Sequence, residues 1–184
     1  MSAKSAILQG QKLSLRPLTE ADISSDYVSW LNDPEVNRYL EVGREPVSAE
    51  QIRTRLNTYG EGTANLIFAI IDTESGKHVG NVTLNNISTT HGHGDTGLII
   101  GDRSFWGKGY ARQAWSLLVD FAFKQLELRK VEAGVVVGNI GSEKALRAIG
   151  FKEEGRQRQH FFADGKHCDV IRFGVFPEEF QPCH

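Results

Sequence analysis

Ile99-Ile100-Gly101-Asp102-Arg103-Ser104-Phe105-Trp106-Gly107-Lys108-Gly109-Tyr110-Ala111-Arg112 is the stretch that decides the reading of this 184-residue chain. An apolar run ends, a loop bearing glycines follows, and a new periodicity begins. From Ala111 onward, Ala114, Trp115, Leu118, Ala122 and Leu126 fall on one face of a long helix. A helix start presents unpaired N–H groups and a partial positive charge. Glycines let that backbone approach a phosphate closely. The residue types therefore suit a phosphorylated ligand. The P-loop pattern is absent, because no Gly-Lys-Ser/Thr follows four variable residues. A dinucleotide fingerprint begun at Gly107 puts Arg112 where Gly or Ala is required, and no acidic residue closes a following strand. That disfavours a nucleotide-binding dehydrogenase.

Outward from the loop, the chain reads as alternating short elements. Lys12 to Arg16 has period two and stops at Pro17; Thr19, with Asp22 three residues on, can cap a helix running to about Leu31. Asn32-Asp33-Pro34 ends it, a short helix follows from Glu35 to Tyr39, and another runs from Ser48 to Tyr59, closed by Gly60. Leu66–Asp72, Val79–Ile87 and Thr96–Gly101 are strand candidates, the last two separated by a polar loop from Ser88 to Asp95. After the long helix come a buried-type strand, Val131–Val137, and a short helix, Ile140–Ile149, closed by Gly150. Two last strands, Glu153–Phe162 and Cys168–Phe176, flank a hairpin turn at Ala163-Asp164-Gly165-Lys166. Antiparallel hairpins with one strand–helix–strand crossover predict an α/β (α+β) domain with a mixed, largely antiparallel central sheet of about seven strands and about four flanking helices. The whole of 1–184 reads as one domain, with an ordered core at about 12–176.

Composition narrows the class. A hydrophobic fraction of 40% and 24% charged residues are ordinary for a globular protein, and a net charge of −2 argues against a chain built to neutralise nucleic-acid phosphates. No apolar run reaches the roughly 18 residues of a membrane span. The start, Met1 to Ile7, lacks the apolar stretch of a signal peptide. Two cysteines, Cys168 and Cys183, make no disulfide framework, and Cys168 has no evident base partner that would make it a nucleophile. A cytoplasmic protein without nucleic-acid or membrane partners is expected.

The loop resembles that of the GNAT superfamily of N-acetyltransferases, whose pattern is Gln/Arg-x-x-Gly-x-Gly/Ala. Gly109, Tyr110 and Ala111 match its last three positions; Trp106 stands at the first, and Phe105-Trp106-Gly107-Lys108-Gly109-Tyr110-Ala111 resembles the RimJ/RimL-type version. Two further stretches resemble the same group in register: Trp30-Leu31-Asn32-Asp33-Pro34-Glu35-Val36, and Asn139 with Ser142 followed by Gly150-Phe151. The resemblance implies a GNAT-like sheet. It implies direct acetyl transfer from acetyl-CoA, with no acyl-enzyme, to a primary amine. Cofactor contacts are implied at Leu98, Ile99 and Ile100, at Trp106, Gly107, Lys108, Gly109, Tyr110, Ala111 and Arg112, and at Asn139 and Ser142.

Many such enzymes carry a tyrosine as general acid four residues before the glycine of the Gly-Phe pair. That position is Leu146 here, so the resemblance moves the role of acid or thiolate partner to Ser142. Asn139 and Ser142 also read as a helix cap and its support. The strand Glu of many relatives is replaced by Thr96, beside Asp95. A water chain ending at Asp95 or His91 is the preferred route for the amine's proton. His91 and His93 have no third clustered ligand, so no metal is expected. Trp30, Tyr39 and Glu41, with the 88–95 loop, are expected to line the acceptor site. The acceptor itself stays open between a protein N-terminal α-amine and an amino-sugar or other small amine. A non-catalytic acyl-CoA-binding module of the same fold is the alternative. Monomer and homodimer both remain open, with Phe161/Phe162 a candidate contact.

Overall fold

A computed structural model describes residues 6–60 and 63–183; Met1 to Ser5, on which part of the leader reading rests, lie outside the described residues. One sheet of eight strands runs through them, in the order β1-β2-β3-β4-β5-β6-β8-β7. The strands are β1 Leu8–Gln9, β2 Leu13–Pro17, β3 Leu66–Asp72, β4 His78–Ser88, β5 His93–Ile100, β6 Lys130–Val136, β7 Lys152–Ala163 and β8 Lys166–Val175. Every neighbouring pair is antiparallel except β5–β6, which is parallel. A parallel pair needs a crossover, and α4, Tyr110–Lys124, supplies it. The additional strand relative to the sequence reading is β1, a two-residue extension paired with β2, too short to show a period.

Local chemistry sets the helices, with some shifts from the expected bounds. Thr19 and Asp22 do form a capping box, but over a 3₁₀ turn, Glu20–Asp22. The true first helix, α1 Ser25–Asn32, is capped by Ser24. Pro34 starts α2, Pro34–Asn37, behind the Asp33 cap. A Ser48/Gln51 capping box starts α3, Ala49–Leu56, which ends three residues earlier than expected. α5 spans Ile140–Arg147. The β4–β5 connection is a tight turn, and β5 already begins at His93 rather than Thr96. The β7–β8 turn is where the sequence places it, with Asp164 and Gly165 both at positive φ. Phe161 and Phe162 alternate as strand neighbours do: the first is buried, the second 48% exposed.

Helices cover both faces of the sheet. On one, α4 and α5 pack over Leu15, Phe68, Val82, Val131 and Phe173. Phe68, Leu118 and Phe173 are fully buried, each a gain of about 1.5–3 kcal/mol over an exposed side chain. On the other, α1 and α3 pack Tyr27, Trp30, Leu31 and Ile52 over Ala69, Ile67 and Ile99.

The sheet forks in the middle. β5 pairs with β6 only from His93/Lys130 to Thr96/Ala133. Beyond that, Gly97 to Ile100 and Gly134 to Val136 part company. Arg172 of β8 lies opposite Gly134 and reaches over it to Asp95 of β5. A Cβ on Gly134 would lie 2.8 Å from the Arg172 guanidinium. The ion pair thus ties β5 to β8 across β6 just before the fork opens. The far end of β5 is held by packing: a Cβ on Gly101 would sit 2.1 Å from the Trp30 ring. Trp30 in turn packs on His78 at 5.2 Å.

Gly101→Ala is therefore expected to destabilise the protein by about 1–3 kcal/mol through overpacking. Thermal unfolding would show this as about 2–4 °C per kcal/mol. In a Trp30→Ala background the same change should cost nothing further.

Candidate active site

The glycine loop is an open cradle on a fixed base. Gly107 and Gly109 have φ of +70° and +87°, and a Cβ on either would meet nothing within 4 Å. Gly109 is the N-cap of α4 and offers no side chain to its first-turn N–H groups, so those donors lack a capping partner, as anion-binding helix starts do. No acidic residue stands in that first turn, and Lys108 and Arg112 are exposed there. The base is rigid. The buried Tyr110 donates its hydroxyl hydrogen to Asp72 at 2.5 Å, and Lys12 Nζ donates to the Lys108 carbonyl at 3.1 Å. Tyr110 can thus serve a ligand only through its backbone. Trp106 bonds its indole N–H to the Ile100 carbonyl at 2.7 Å, joining the loop to the end of β5. Uncapped amides, open glycines and exposed cations together fit a diphosphate.

The fork opens beside this cradle. Leu98 and Ile100 send their side chains into the α4 core, while Ile99 faces the other way. Across the fork, Gly138 turns the chain at φ +103° into α5. Asn139 caps that helix, its Oδ1 accepting from the Ser142 N–H at 3.3 Å. Both expected residues thus stand at the fork, and the cap reading of Asn139 holds in the geometry. Leu146 is fully buried in the core.

On the opposite face lies a cavity of about 730 Å³ between the sheet and the segment from α1 to α3. Leu31, Leu40, Ile52 and Ile99 line it with apolar surface, and Asn81 and Thr83 stand on its sheet floor. Glu41, Glu45 and Glu50 line it against two arginines, Arg44 and Arg55. The volume is that of a small-molecule site. An asparagine shapes the loop over it: Asn37 Nδ2 donates to the carbonyls of Leu31 at 2.8 Å and Gly43 at 3.1 Å.

The expected acceptor residues separate. Glu41 lines the cavity, paired with Arg44 at 3.1 Å. Tyr39 stands beside Gly138, where a Cβ would come within 3.2 Å of its hydroxyl. Trp30 does not reach the cavity: it is 7% exposed, under Gly101. Neither does the 88–95 loop. His91 sits in the β4–β5 turn, its ring stacked on His93 at 6.1 Å, at the end of β5 remote from the fork's mouth. His93 pairs with Glu132 at 3.1 Å. Asp95 does face the cavity side, one strand step from Gly97, but is joined to Arg172. Burial pushes its carboxyl above the ordinary range, with the Arg172 guanidinium opposing. Thr96 is core: it donates to the Thr83 carbonyl at 2.8 Å and accepts from Trp115 at 3.1 Å. Sequence reasoning missed Asn81, Thr83 and the α3 wall, because only the sheet register shows which strand positions share a floor. Among the described residues, no group of three or more His, Cys, Asp or Glu side chains could hold a metal ion.

A forked sheet, a glycine cradle at a helix start and a cavity of small-molecule size on the opposite face are the arrangement of a group-transfer enzyme. The chain belongs to the acetyltransferase (GNAT) domain family, whose model matches residues 12–152. It is 33% identical to the uncharacterized N-acetyltransferase p20 of Bacillus licheniformis, over 94% of this chain and 97% of that protein. It is 26% identical to spermidine N(1)-acetyltransferase of Vibrio cholerae, over 92% of this chain and 95% of that protein. A crystal structure of spermidine N-acetyltransferase from Vibrio cholerae in complex with CoA and spermine superimposes with a TM-score of 0.82 at 26% identity, covering 92% of this chain and 98% of that one. The fold is thus the mixed α/β fold of that family, and the chain is an acyltransferase.

Removing the Tyr110 hydroxyl tests the cradle's base. Tyr110→Phe leaves an Asp72 oxygen without that donor and should cost about 1–3 kcal/mol. Burial first, and then Asp72, push the Tyr110 hydroxyl up to about 12. A raised folded pKa gives stability that is present below the unfolded value, about 10, and lost as pH rises toward about 12. The variant's denaturant midpoint should therefore fall less steeply across that window, with Tyr27, also pushed up to about 12 by burial, keeping the remainder.

Proposed function

We propose that this protein moves the acetyl group of acetyl-CoA directly to a primary amine, and that the acceptor is a small molecule taken up in the cavity of about 730 Å³. The observation that carries the donor side is the cradle: two open glycines at an uncapped helix start beside the fork. The Vibrio cholerae structure with CoA and spermine supports the same donor and a cationic acceptor. Backbone amides from Gly107 to Arg112 hold the diphosphate, with Lys108 and Arg112 beside it. The backbone of Leu98, Ile99 and Ile100, released from β6, runs along the pantetheine arm, and Asn139 meets its amide. The carboxylates Glu41, Glu45 and Glu50 at the cavity attract an ammonium group.

Transfer requires a neutral amine, since an ammonium has no lone pair. Its proton leaves through water toward Asp95, whose raised affinity for protons suits a base. The amine nitrogen attacks the thioester carbonyl carbon, the C–S bond breaks, and the electron pair leaves on sulfur. Ser142, on the first turn of α5, hydrogen-bonds that sulfur. Holding both reactants in line supplies most of the rate. Trp106 and Ser142 carry the RimJ/RimL-like reading. We read the protein as cytoplasmic, in keeping with its free cysteines Cys168 and Cys183.

The test is acetyl-CoA consumption across polyamines, amino sugars and N-terminal peptides. Turnover with a small amine is the expected result; turnover on peptides alone overturns the small-molecule reading, and CoA binding without turnover on any amine supports a binding module instead. Calorimetry of Gly107→Ala and Gly109→Ala should show CoA affinity lowered about tenfold or more, because a left-handed alanine resists the loop geometry and its methyl fills the cradle. Unchanged affinity would place the diphosphate elsewhere.

A further inference from the structure

The α5 position that would carry a proton-donating tyrosine holds Leu146, fully buried. Ser142, four residues before it on α5, is half-buried and takes the sulfur-side role in the reading above. The other side of the fork has its own hydroxyl. Val135 points into the core under α4, and Val136, its neighbour, into a second cluster with Phe161, Ala163 and Val170 on the opposite face. Tyr39 packs against that second cluster. It follows α2 in a loop that also carries Glu41 of the cavity. Its hydroxyl lies beside Gly138, within 3.2 Å of where a Cβ would stand, and makes no hydrogen bond among the described residues. Gly138 is followed by Asn139, the cap of α5, so the phenol stands at the end of β6 where the chain turns into the helix that carries Ser142.

The placement is enforced. Arg38 grips Asp164 of the β7–β8 turn with two nitrogens, at 2.5 and 2.9 Å, and its guanidinium lies 5.3 Å from the Tyr39 ring centroid. Arg44, from the same loop, donates to the Phe162 carbonyl at 3.1 Å and covers the Phe161 ring at 4.5 Å. The loop bearing Tyr39 is therefore tied at both ends to the β7–β8 hairpin. A phenol so held, with its O–H unengaged by any described residue and standing beside Gly138 where β6 turns into α5, can donate to charge that develops at the fork.

We propose that Tyr39 is a catalytic residue: its hydroxyl donates a hydrogen bond to the sulfur as the C–S bond breaks, opposite Ser142, with Arg38 and Asp164 as positioning residues. This rests on the acetyl-transfer reading above. No proton need leave the tyrosine. The amine's proton goes to Asp95 and solvent, and the released thiolate takes one from solvent, so the products are the amide and the free thiol.

Two measurements on the full chain test it. Ultraviolet titration of the thiolate of bound CoA reads the hydrogen bond without any amine. Tyr39→Phe should raise the pH of thiolate formation by about one unit or more, the size expected of a bond to a charged atom. With the amine found in the screen, kcat should fall about tenfold to hundredfold, and KM for both substrates should change less than about threefold. Asp164→Ala should give a smaller drop in kcat with the same sign in the thiol titration. An unchanged thiol titration in Tyr39→Phe overturns the proposal, as does a variant that alters only KM or thermal stability. If wild-type protein turns over an amine while Tyr39→Phe is unaffected, this inference alone fails. A wild-type protein that does not bind CoA sinks both this and the donor reading.

Discussion

The ion pair between Arg172 and Asp95 sits where the sheet stops being one sheet. Arg172 belongs to β8 and Asp95 to β5, and between them β6 contributes a residue with no side chain, Gly134, over which the guanidinium lies. Below this crossing β5 and β6 exchange ladder hydrogen bonds; above it they separate, and the backbone of Gly97 to Ile100 is left without its β6 partner. Backbone groups without partners are costly when buried, so a fork of this kind persists only where something else meets them. Asp95 is pushed above its ordinary range despite a guanidinium partner because desolvation outweighs Arg172, and Glu132 adds to the push.

From that fork, the two faces of the sheet take different tasks. The α4 face is densely apolar, and it anchors the cradle through Tyr110 and Asp72. The α1–α3 face is less filled and leaves a cavity bounded by carboxylates and arginines. β5 is the shared element. Its alternation sends Leu98 and Ile100 into the core and Ile99 toward the cavity, so one strand borders both the fork and the cavity.

The glycine loop was legible in the chain because its signal is local: a strand end, two glycines within three residues, and a helical period beginning at once. The capping residues Ser48 and Asn139 and the Asp164-Gly165 turn were legible for the same reason, whereas Pro34, read as part of the stop after the first helix, in fact opens α2, which ends at Asn37 rather than Tyr39. Thr19 was a partial success, since its capping box exists but closes a single 3₁₀ turn and the helix waits for Ser24. Trp30 was read as a site residue from the stretch it opens, and His91 from its chemistry. One is walled in by Gly101, and the other stacks in a turn at the remote end of β5.

What the chain determined by itself was the succession of elements and the position of the glycine loop at the start of the long helix, since periodicity, caps and turn residues act over a few neighbours and need nothing from afar. What only the tertiary structure decided was which side chains meet. The cavity draws on Leu31, Glu41, Ile52, Thr83 and Ile99, from five separate segments, and Tyr39 meets Gly138 across 99 positions, packed on the Val136 cluster and flanked by the Arg38–Asp164 and Arg44–Phe162 contacts. Strand register and the crossing of Arg172 over Gly134 set those meetings, and register depends on pairing between distant segments, which no local pattern encodes.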